Sequence, residues 1–334
     1  MSAIPAPGRR RSLEVSLRGL RDWPALPAVV ALVVFLAVYV AINPELFSRF
    51  QLQTVANQIA PLTLIAFGQL LIVVVGGIDI SIAGITSLAN VVFVSLLDSD
   101  LVPLALLGAA GIGIAAGLLN GALSTIGRLP TIAVTLATAF IYSALAVEVM
   151  DRPGGTVPLD FVQITSGELV PYVPIGFFWI ALAATLLWVL LNRTVIGRRI
   201  YGAGGNPEGL RASGANPDFA RLVAFGLGGL LVAGGAILLA GATSTGDPRS
   251  GDPYLLTSIA AVALGGADFR GGAGSVVGTA CAAAVLALIG NFLFFAGINS
   301  YWQYVIGSMV IIAVVGVPAI VRAVATRYRT TAHR

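Results

Sequence analysis

Asp79 is the most isolated ionisable side chain in this sequence, because it lies within a long stretch of apolar residues. The surrounding run, from Gly76 to Ser81, reads G-G-I-D-I-S. An ionisable residue in such a setting indicates a functional site by default, for example a proton relay. Aspartate is also a preferred N-cap residue, so we expect Asp79 to cap a helix that begins near Ser81 at the end of a span. Both roles stay open, and Glu148 presents a similar choice between a proton site and an interfacial position.

Groups that could catalyse a reaction or bind a metal are scarce elsewhere in the chain. All nineteen basic residues are arginine, so no phosphate-binding loop of the type G-x-x-x-x-G-K-[ST] is present. Cys281 and His333 are the only cysteine and histidine, which excludes disulfides and clustered Cys/His metal sites. We therefore predict no catalytic residue, metal site or cofactor, and we disfavour an intramembrane enzyme. Any ATP and Mg²⁺ would be bound by a partner.

The composition is typical of a membrane protein. Apolar residues make up 57% of the 334 positions, charged residues make up 10%, and the mean hydropathy is +0.93. A soluble protein carries roughly 25% charged residues. A bilayer-spanning helix needs about 20 apolar residues, and continuous runs favour helices over the alternating pattern of barrel strands. We predict an all-α polytopic membrane protein from five uncharged runs: Phe50–Ile78, Leu101–Gly127, Leu169–Asn192, Leu222–Gly246 and Gly271–Val321.

About ten membrane helices are predicted, and two places along them are irregular. Gly76 and Gly77 interrupt the second and third spans, and a short eighth span ends at Gly265 and Gly266, as a re-entrant segment or half-helix would. Broken backbone at membrane depth is tolerated only where it faces protein or a water-filled path. The predicted spans are 25–42, 53–76, 80–97, 102–125, 130–149, 172–191, 219–242, 255–267, 274–294 and 302–321.

The arginines predict the orientation of these spans, because cytoplasmic loops are enriched in positive charge. If the N-terminus is cytoplasmic, sixteen arginines fall on that side and only Arg49, Arg152 and Arg249 fall outside. Both termini are therefore expected in the cytoplasm. The predicted organisation is an arginine-rich tail over 1–24, a transmembrane domain over 25–321, and a cytoplasmic tail over 322–334. The first apolar run is too long for a signal peptide, so we expect it to be retained.

Two further features of the spans and loops allow more than one interpretation. Asn120, Thr135 and Thr138 could line a path through the membrane, although small polar residues also hold membrane helices together. The external loop over 151–171 carries three acids and several prolines. It could be a docking surface for an external protein or a disordered, solvated loop.

The cytoplasmic segment over 193–217 carries the signals of a short helix. Asn206 suits the N-cap and Pro207 the first helical position, while Glu208 complements the helix dipole. Gly214 is placed as the C-terminal stop, with Pro217 beyond it. We predict a helix of about two turns, which could be a contact for a soluble partner or part of an ordinary amphipathic loop.

Over Phe67–Ile320 the sequence resembles a known family. It is similar to the permease subunits of bacterial ATP-binding-cassette importers for ribose, xylose, arabinose and galactose. Five stretches in the same order carry the resemblance: Gly76–Ser81; Asn120–Gly121 through Leu129–Thr131 with Thr135–Leu136; Gly197–Gly214; Ser258–Gly278; and Tyr301–Gln303.

The resemblance implies a bacterial inner-membrane subunit that dimerises, with a second copy or a paralogue, around a translocation path for a monosaccharide or similar solute. A cytoplasmic ATP-binding subunit and a periplasmic solute-binding protein would complete the complex within the lipid bilayer, with no nucleic acid. The helix near Asn206 matches the family's coupling segment, for which we select Asn206, Glu208, Arg211, Ser213 and Gly214. The candidates for the path or its gate are Gly76, Gly77, Asp79, Ser81, Asn120, Thr135, Gly265 and Gly266.

Two other functions stay open. A branched-chain amino-acid permease belongs to the same broad superfamily. An ion-coupled secondary transporter could use Asp79 and Glu148 for protons, but such a protein usually carries further polar partners at the middle of the membrane.

Overall fold

The part of the protein that the structure describes is a bundle of helices with one two-stranded hairpin. The computed structural model describes residues 23–97, 102–299, 301–303, 305–309 and 312. Its elements, in chain order, are α1 (Leu26–Ile42), α2 (Arg49–Val74), α3 (Ile82–Leu97), α4 (Val102–Thr125), α5 (Thr131–Val149), α6 (Leu159–Ser166), β1 (Glu168–Val170), β2 (Val173–Pro174), α7 (Ile175–Arg193), α8 (Val195–Gly205), α9 (Pro207–Ala212), α10 (Pro217–Thr243), α11 (Tyr254–Leu264) and α12 (Val276–Phe295). A short 3₁₀ turn, Pro44–Phe47, joins α1 to α2.

The helices agree with the predicted spans over most of the chain. Within the described residues, six helices are long and apolar enough to cross a membrane: α2, α4, α5, α7, α10 and α12. The shorter α1, α3 and α11 coincide with three more predicted spans, and α11 has only 11 residues, as expected for a half-helix. The predicted span over 302–321 lies largely outside the described residues, and so do the tails over 1–22 and 322–334. The total of ten spans therefore stays a prediction.

The centre of the bundle is formed by α2 and α10, which pack against each other. Nearly every residue of α2 from Val55 to Val74 is buried, including Gln69. On α4, Gly113 and Gly117 are four residues apart and face the backbone of α10 at Gly229 and Phe225. Small residues at this spacing let two membrane helices approach until their backbones touch. Glycine therefore determines the spacing between α4 and α10.

The outer helices expose large apolar side chains instead of burying them. On α1 Val33 is 61% exposed, on α5 Phe140 is 71% exposed, and on α7 Leu186 is 62% exposed. A soluble protein rarely exposes apolar surface on this scale. Together with the long apolar helices, this surface identifies a multi-pass membrane protein whose outer face contacts lipid.

Arginines and acidic residues are concentrated at opposite ends of the bundle. The end that we name the basic end carries Arg128, Arg193, Arg198, Arg199, Arg211, Arg221 and Arg270, on segments adjoining the ends of α4, α7, α8, α9, α10 and α11. The opposite, acidic end carries Glu45, Asp151, Asp160 and Glu168, with Asp247 and Asp252 on the loop between α10 and α11. Each end also carries some residues of the opposite sign, such as Arg49 at the acidic end and Glu208 at the basic end. The clustering of arginine agrees with the sequence analysis, while the orientation in the membrane stays a prediction.

The loop over 151–171 is a structured cap on the acidic end. It contains α6 and the first strand of the hairpin, and Glu168 forms an ion pair with Arg49 at 2.7 Å. Gly154 and Gly246 exchange two backbone hydrogen bonds of 2.9 Å, which ties the loop to the end of α10. Of the two interpretations that the sequence left open, the disordered loop does not agree with this structure. Pro158 directly precedes α6.

We expect Gly113→Leu to destabilise the protein, because the added side chain would collide with the Gly229 carbonyl and the Ala233 side chain. Overpacking of this kind costs about 1–3 kcal/mol. The midpoint of heat-induced loss of the monodisperse size-exclusion peak should fall by several degrees. Gly111→Leu is the matched control on the same helix, since a side chain there meets nothing within 4 Å. Equal midpoints for the two variants would contradict the close packing of α4 on α10.

Candidate functional site

The backbone between α2 and α3 is broken by a glycine turn. Gly76 has a φ of +84°, a conformation that residues with side chains rarely adopt. The Gly77 amide donates to the Ile72 carbonyl at 2.9 Å, and the Gly76 amide donates to the Val73 carbonyl at 2.9 Å. These bonds satisfy the last carbonyls of α2 and stop the helix. The chain then runs in non-helical form until α3 begins at Ile82.

Asp79 caps the start of α3, as the sequence predicts. Its Oδ1 accepts hydrogen bonds from the Ser81 amide at 2.7 Å and from Ser81 Oγ at 2.6 Å. Asn120 Nδ2 on α4 donates to Ser81 Oγ at 2.7 Å, and the Tyr142 hydroxyl on α5 donates to Asn120 Oδ1 at 3.4 Å. Asp79 is only 1% exposed. The side chains form one buried network that joins three helices to the break.

The cap lies deeper in the bundle than the sequence suggests. Asn120 precedes the end of α4 by five residues, which is roughly 8 Å along a helix. Thr135 Oγ1, one turn into α5, donates to the Ile78 carbonyl at 3.2 Å. The break therefore descends from the basic end into the bundle before α3 starts. Four of the candidates for the path or gate, Asp79, Ser81, Asn120 and Thr135, meet here, while Thr138 bonds within its own helix.

The remaining gate candidates lie apart from this network or at its entrance. Gly76 and Gly77 line a cavity of about 320 Å³ at the basic end, together with Arg128 and Arg221. Gly265 and Gly266 end α11, where Gly266 has a φ of +87° and the Ala267 amide donates to the Val262 carbonyl at 3.2 Å. This is the same type of helix ending as at Gly76. The similar sequences Gly76–Asp79 and Gly265–Asp268 thus share the same chemistry of helix termination.

The aspartates that follow these two glycine pairs have different surroundings. Whereas Asp79 is buried, Asp268 lies at the surface and pairs with Arg270 at 2.9 Å. Asp268 raises the pKa of Arg270 above its ordinary value through this hydrogen bond. An exposed pair of this kind contributes little to stability.

The segment over 193–217 forms two helices, of which only the second was predicted. Asn206 Oδ1 accepts from the Gly209 amide at 2.8 Å, so it caps α9 as expected. Gly214 has a φ of +80°, and the Ala215 amide donates to the Leu210 carbonyl at 3.2 Å, which is the predicted glycine stop. No residue of α9 is buried. Glu208, Arg211 and Ser213 all lie on this exposed turn at the basic end.

The first helix of the segment, α8, attaches α9 to the bundle. Thr194 caps it by accepting from the Gly197 amide at 3.0 Å, and the Tyr201 hydroxyl donates to the Gly274 carbonyl at 3.1 Å. Burial raises the pKa of the Tyr201 phenol, so the hydroxyl stays protonated as a donor. A signal for α8 was present in the sequence, since the polar Thr194 precedes apolar residues at Ile196 and Ile200.

Five glycines bring α8, α2 and the α11–α12 loop into direct backbone contact. We name Gly76, Gly204, Gly205, Gly271 and Gly272 the glycine junction. The Gly272 amide donates to the Val74 carbonyl at 2.8 Å. A Cβ atom on Gly204 would collide with that carbonyl and with the Gly272 amide, and one on Gly271 would lie 2.9 Å from the Gly76 nitrogen. The junction thus connects the exposed α9 region to the break in front of Asp79.

A groove that sequence analysis did not predict opens between α2, α10, α11 and α12. It encloses about 580 Å³, and we name it the polar groove after the polar side chains that line it: Thr54, Asn57, Gln58, Thr243, Thr257 and Gln303. Thr54, Asn57 and Gln58 are spaced as positions i, i+3 and i+4, which is one face of a helix. That spacing within an otherwise apolar run was the signal available in the sequence.

Comparison with known proteins identifies the family. The model described as branched-chain amino acid transport system / permease component matches residues 51–315. The chain belongs to this permease family. No solved structure matches the chain.

Named relatives of this permease span nearly its whole length. A ribose import permease protein of Bacillus subtilis is 30% identical over 290 residues, which are 86% of this chain and 90% of that protein. A galactose/methyl galactoside import permease protein of Escherichia coli K12 is 31% identical over 306 residues, 85% of this chain and 91% of the other. A probable ABC transporter permease protein of Sinorhizobium fredii is 31% identical over 312 residues, 92% of each.

These relatives are transport subunits and not enzymes, which supports a non-enzymatic role for the permease. Within the part of the chain that the structure describes, no group of three or more His, Cys, Asp or Glu residues could hold a metal ion.

We expect Asp79→Asn to keep the permease nearly as stable as the natural protein, because an amide oxygen can still accept both bonds from Ser81. Asp79→Ala removes the acceptor and should cost about 0.5–2 kcal/mol, the usual loss for an N-cap. The thermal midpoint of the purified protein in detergent would measure both. A loss with Asp79→Asn as large as that with Asp79→Ala would show that the carboxylate matters for its charge and not as a cap.

Proposed function

We propose that this permease is the membrane subunit of an ATP-driven importer for a monosaccharide or a similar small polar solute. The observation that carries this proposal is its similarity, over at least 85% of the chain, to import permeases named for ribose and galactose. The chain would supply the path through the membrane. A partner subunit would bind ATP and Mg²⁺ and supply the energy.

The exposed α9 is the contact that we propose for the ATP-binding subunit. Asn206 and Gly214 fix the two ends of α9, and Glu208, Arg211 and Ser213 are solvent-exposed on it. Arg211 also lies 4.0 Å from Asp218 at the start of α10, in an exposed ion pair. Movement of the partner would pass through α8 and the glycine junction to the break before α3. There the path would open or close.

The positive-inside rule supports a cytoplasmic location for the basic end. The acidic end would then face the periplasm and receive the solute-binding protein, with the ordered 151–171 loop on that surface. The protein would lie in a bacterial inner membrane with both termini in the cytoplasm. A second copy or a paralogue would complete the path, as in a symmetric or pseudo-symmetric dimer.

The two other candidate functions have less support. The family description names branched-chain amino acids, but the relatives reported above by substrate are sugar permeases. A proton-coupled transporter would need Asp79 to exchange protons, whereas its carboxylate accepts two hydrogen bonds from Ser81 at the start of α3. We therefore assign Asp79 to holding the break.

We expect Glu208→Arg to uncouple the permease from its ATP-binding subunit, because it reverses an exposed charge on the proposed contact. In nanodiscs containing both subunits, stimulation of ATP hydrolysis by the solute-loaded binding protein should fall about tenfold, equivalent to ~1.4 kcal/mol. Glu208→Asp is the matched control, since it keeps an acidic side chain at the same exposed position of α9.

Stimulation of ATP hydrolysis and recruitment of the ATP-binding subunit distinguish two ways in which this proposal could fail. If the solute-loaded binding protein stimulates ATP hydrolysis equally well with Glu208→Arg and with Glu208→Asp, α9 is not the contact. If the natural permease recruits no ATP-binding subunit and moves solute on a proton gradient alone, the importer assignment itself is wrong.

A further inference from the structure

We propose that the polar groove is the subsite that holds a neutral, polyhydroxylated solute on its way through the permease. This inference rests on the proposed function and extends it, because it assigns residues of this chain to the path. The groove is separate from the Asp79 network, which joins α3, α4 and α5.

The polar groove lies in the half of the bundle nearer the acidic end. One wall is the half of α2 nearer the acidic end, where Thr54, Asn57 and Gln58 lie. The inner end is the start of α11 at Pro253 and Tyr254. Shortly before it, the Gly251 amide donates to Ser87 Oγ at 3.0 Å. Ser87 precedes the end of α3 by ten residues, so this point lies roughly 15 Å below the acidic end of that helix.

Two amide side chains that line the groove, those of Asn57 and Gln58, differ from their neighbour Gln53 in hydrogen bonding. Gln53, one turn earlier on α2, donates to the Ser166 carbonyl at 2.8 Å. Asn57 and Gln58 are partly buried, yet their side chains make no hydrogen bond to any residue that the structure describes. Each amide offers a carbonyl acceptor and two N–H donors. Since leaving such groups unpaired in a membrane is costly, water or a polar ligand is the natural partner.

The described lining of the polar groove is uncharged. None of the described residues that line the groove is acidic or basic. A zwitterionic or anionic solute would leave its charged groups without counter-charges, which is expensive in a partly dry site. A neutral sugar instead presents hydroxyl groups that both donate and accept, matching the amides and the hydroxyls of Thr243 and Thr257. Tyr254 and Phe294 add aromatic surface for the apolar face of a sugar ring.

Cysteine labelling tests whether the groove is a hydrophilic space, without any partner protein. The chain has one cysteine, so Cys281→Ala provides a background free of thiols. In this background, Asn57→Cys should react with a charged methanethiosulfonate reagent in nanodiscs at least ten times faster than Val33→Cys. Val33 is the lipid-facing control because it is 61% exposed on the apolar surface of α1. Ala56→Cys, next to Asn57 and fully buried, should react least.

The labelling result can overturn the proposal directly. If Asn57→Cys reacts with the charged reagent as slowly as Val33→Cys, and both react with a lipid-soluble maleimide, the groove is a lipid-facing surface. A normal size-exclusion profile for each variant excludes misfolding as the cause.

Transport measurements test the solute class. In proteoliposomes with the ATP-binding subunit and binding protein, Asn57→Leu with Gln58→Leu should lower uptake of D-ribose or D-galactose per ATP hydrolysed about tenfold. Stimulation of ATP hydrolysis should persist, because α9 is unchanged. Asn192→Leu is the control amide substitution, since Asn192 is exposed at the end of α7 and bonds only the Trp188 carbonyl of its own helix.

Two outcomes separate this inference from the proposed function. Unchanged uptake in the double variant would overturn the subsite while leaving the importer intact. If the natural complex imports neither these two sugars nor any other neutral sugar, the proposed function and the subsite both fail, and the labelling still decides whether the groove admits water.

Discussion

A helix that starts inside a membrane must find partners for its first amide groups, since neither water nor an earlier turn is there to accept them. In this permease Asp79 meets that requirement for α3 by accepting from the Ser81 amide and hydroxyl. The buried network around Ser81 then ties the start of α3 to α4 and α5. The placement of α3, and of the helices packed on it, therefore depends in part on this cap.

Close backbone contact is the second condition on which the architecture depends. Lipid tails are as apolar as leucine, so membrane helices gain little from burying apolar side chains against one another and rely more on tight packing. Gly113 and Gly117 allow α4 to touch α10, and Gly68 allows α2 to approach α10 at Gly228. The two central helices are thus held together by close packing of their backbones. The outer helices keep their large apolar side chains for the lipid.

The sequence predicted what depends on local chemistry and on the solvent. Continuous uncharged runs predicted nine helices near their observed positions, and the cap at Asn206 and the stop at Gly214 appear where expected. Tertiary contacts could not be predicted in the same way. The depth of Asp79 depends on Asn120 and Thr135 from two other helices, and the ordered 151–171 loop depends on Arg49 and Gly246, which are distant in sequence. The polar groove required four helices to be brought together before Asn57 and Gln58 acquired a common space with Thr257.

The glycine junction has a mechanical consequence. Long side chains at an interface change rotamer easily and so absorb small displacements, whereas two backbones in van der Waals contact have almost no compliance. The contact between Gly204 and Val74, reinforced by the bond from the Gly272 amide, contains no rotatable side chain at all. A shift of an ångström imposed on α8 would therefore arrive at the end of α2 nearly undiminished. Such a joint transmits force as a rigid linkage does, and neither pH nor salt would soften it, because no ionisable group takes part.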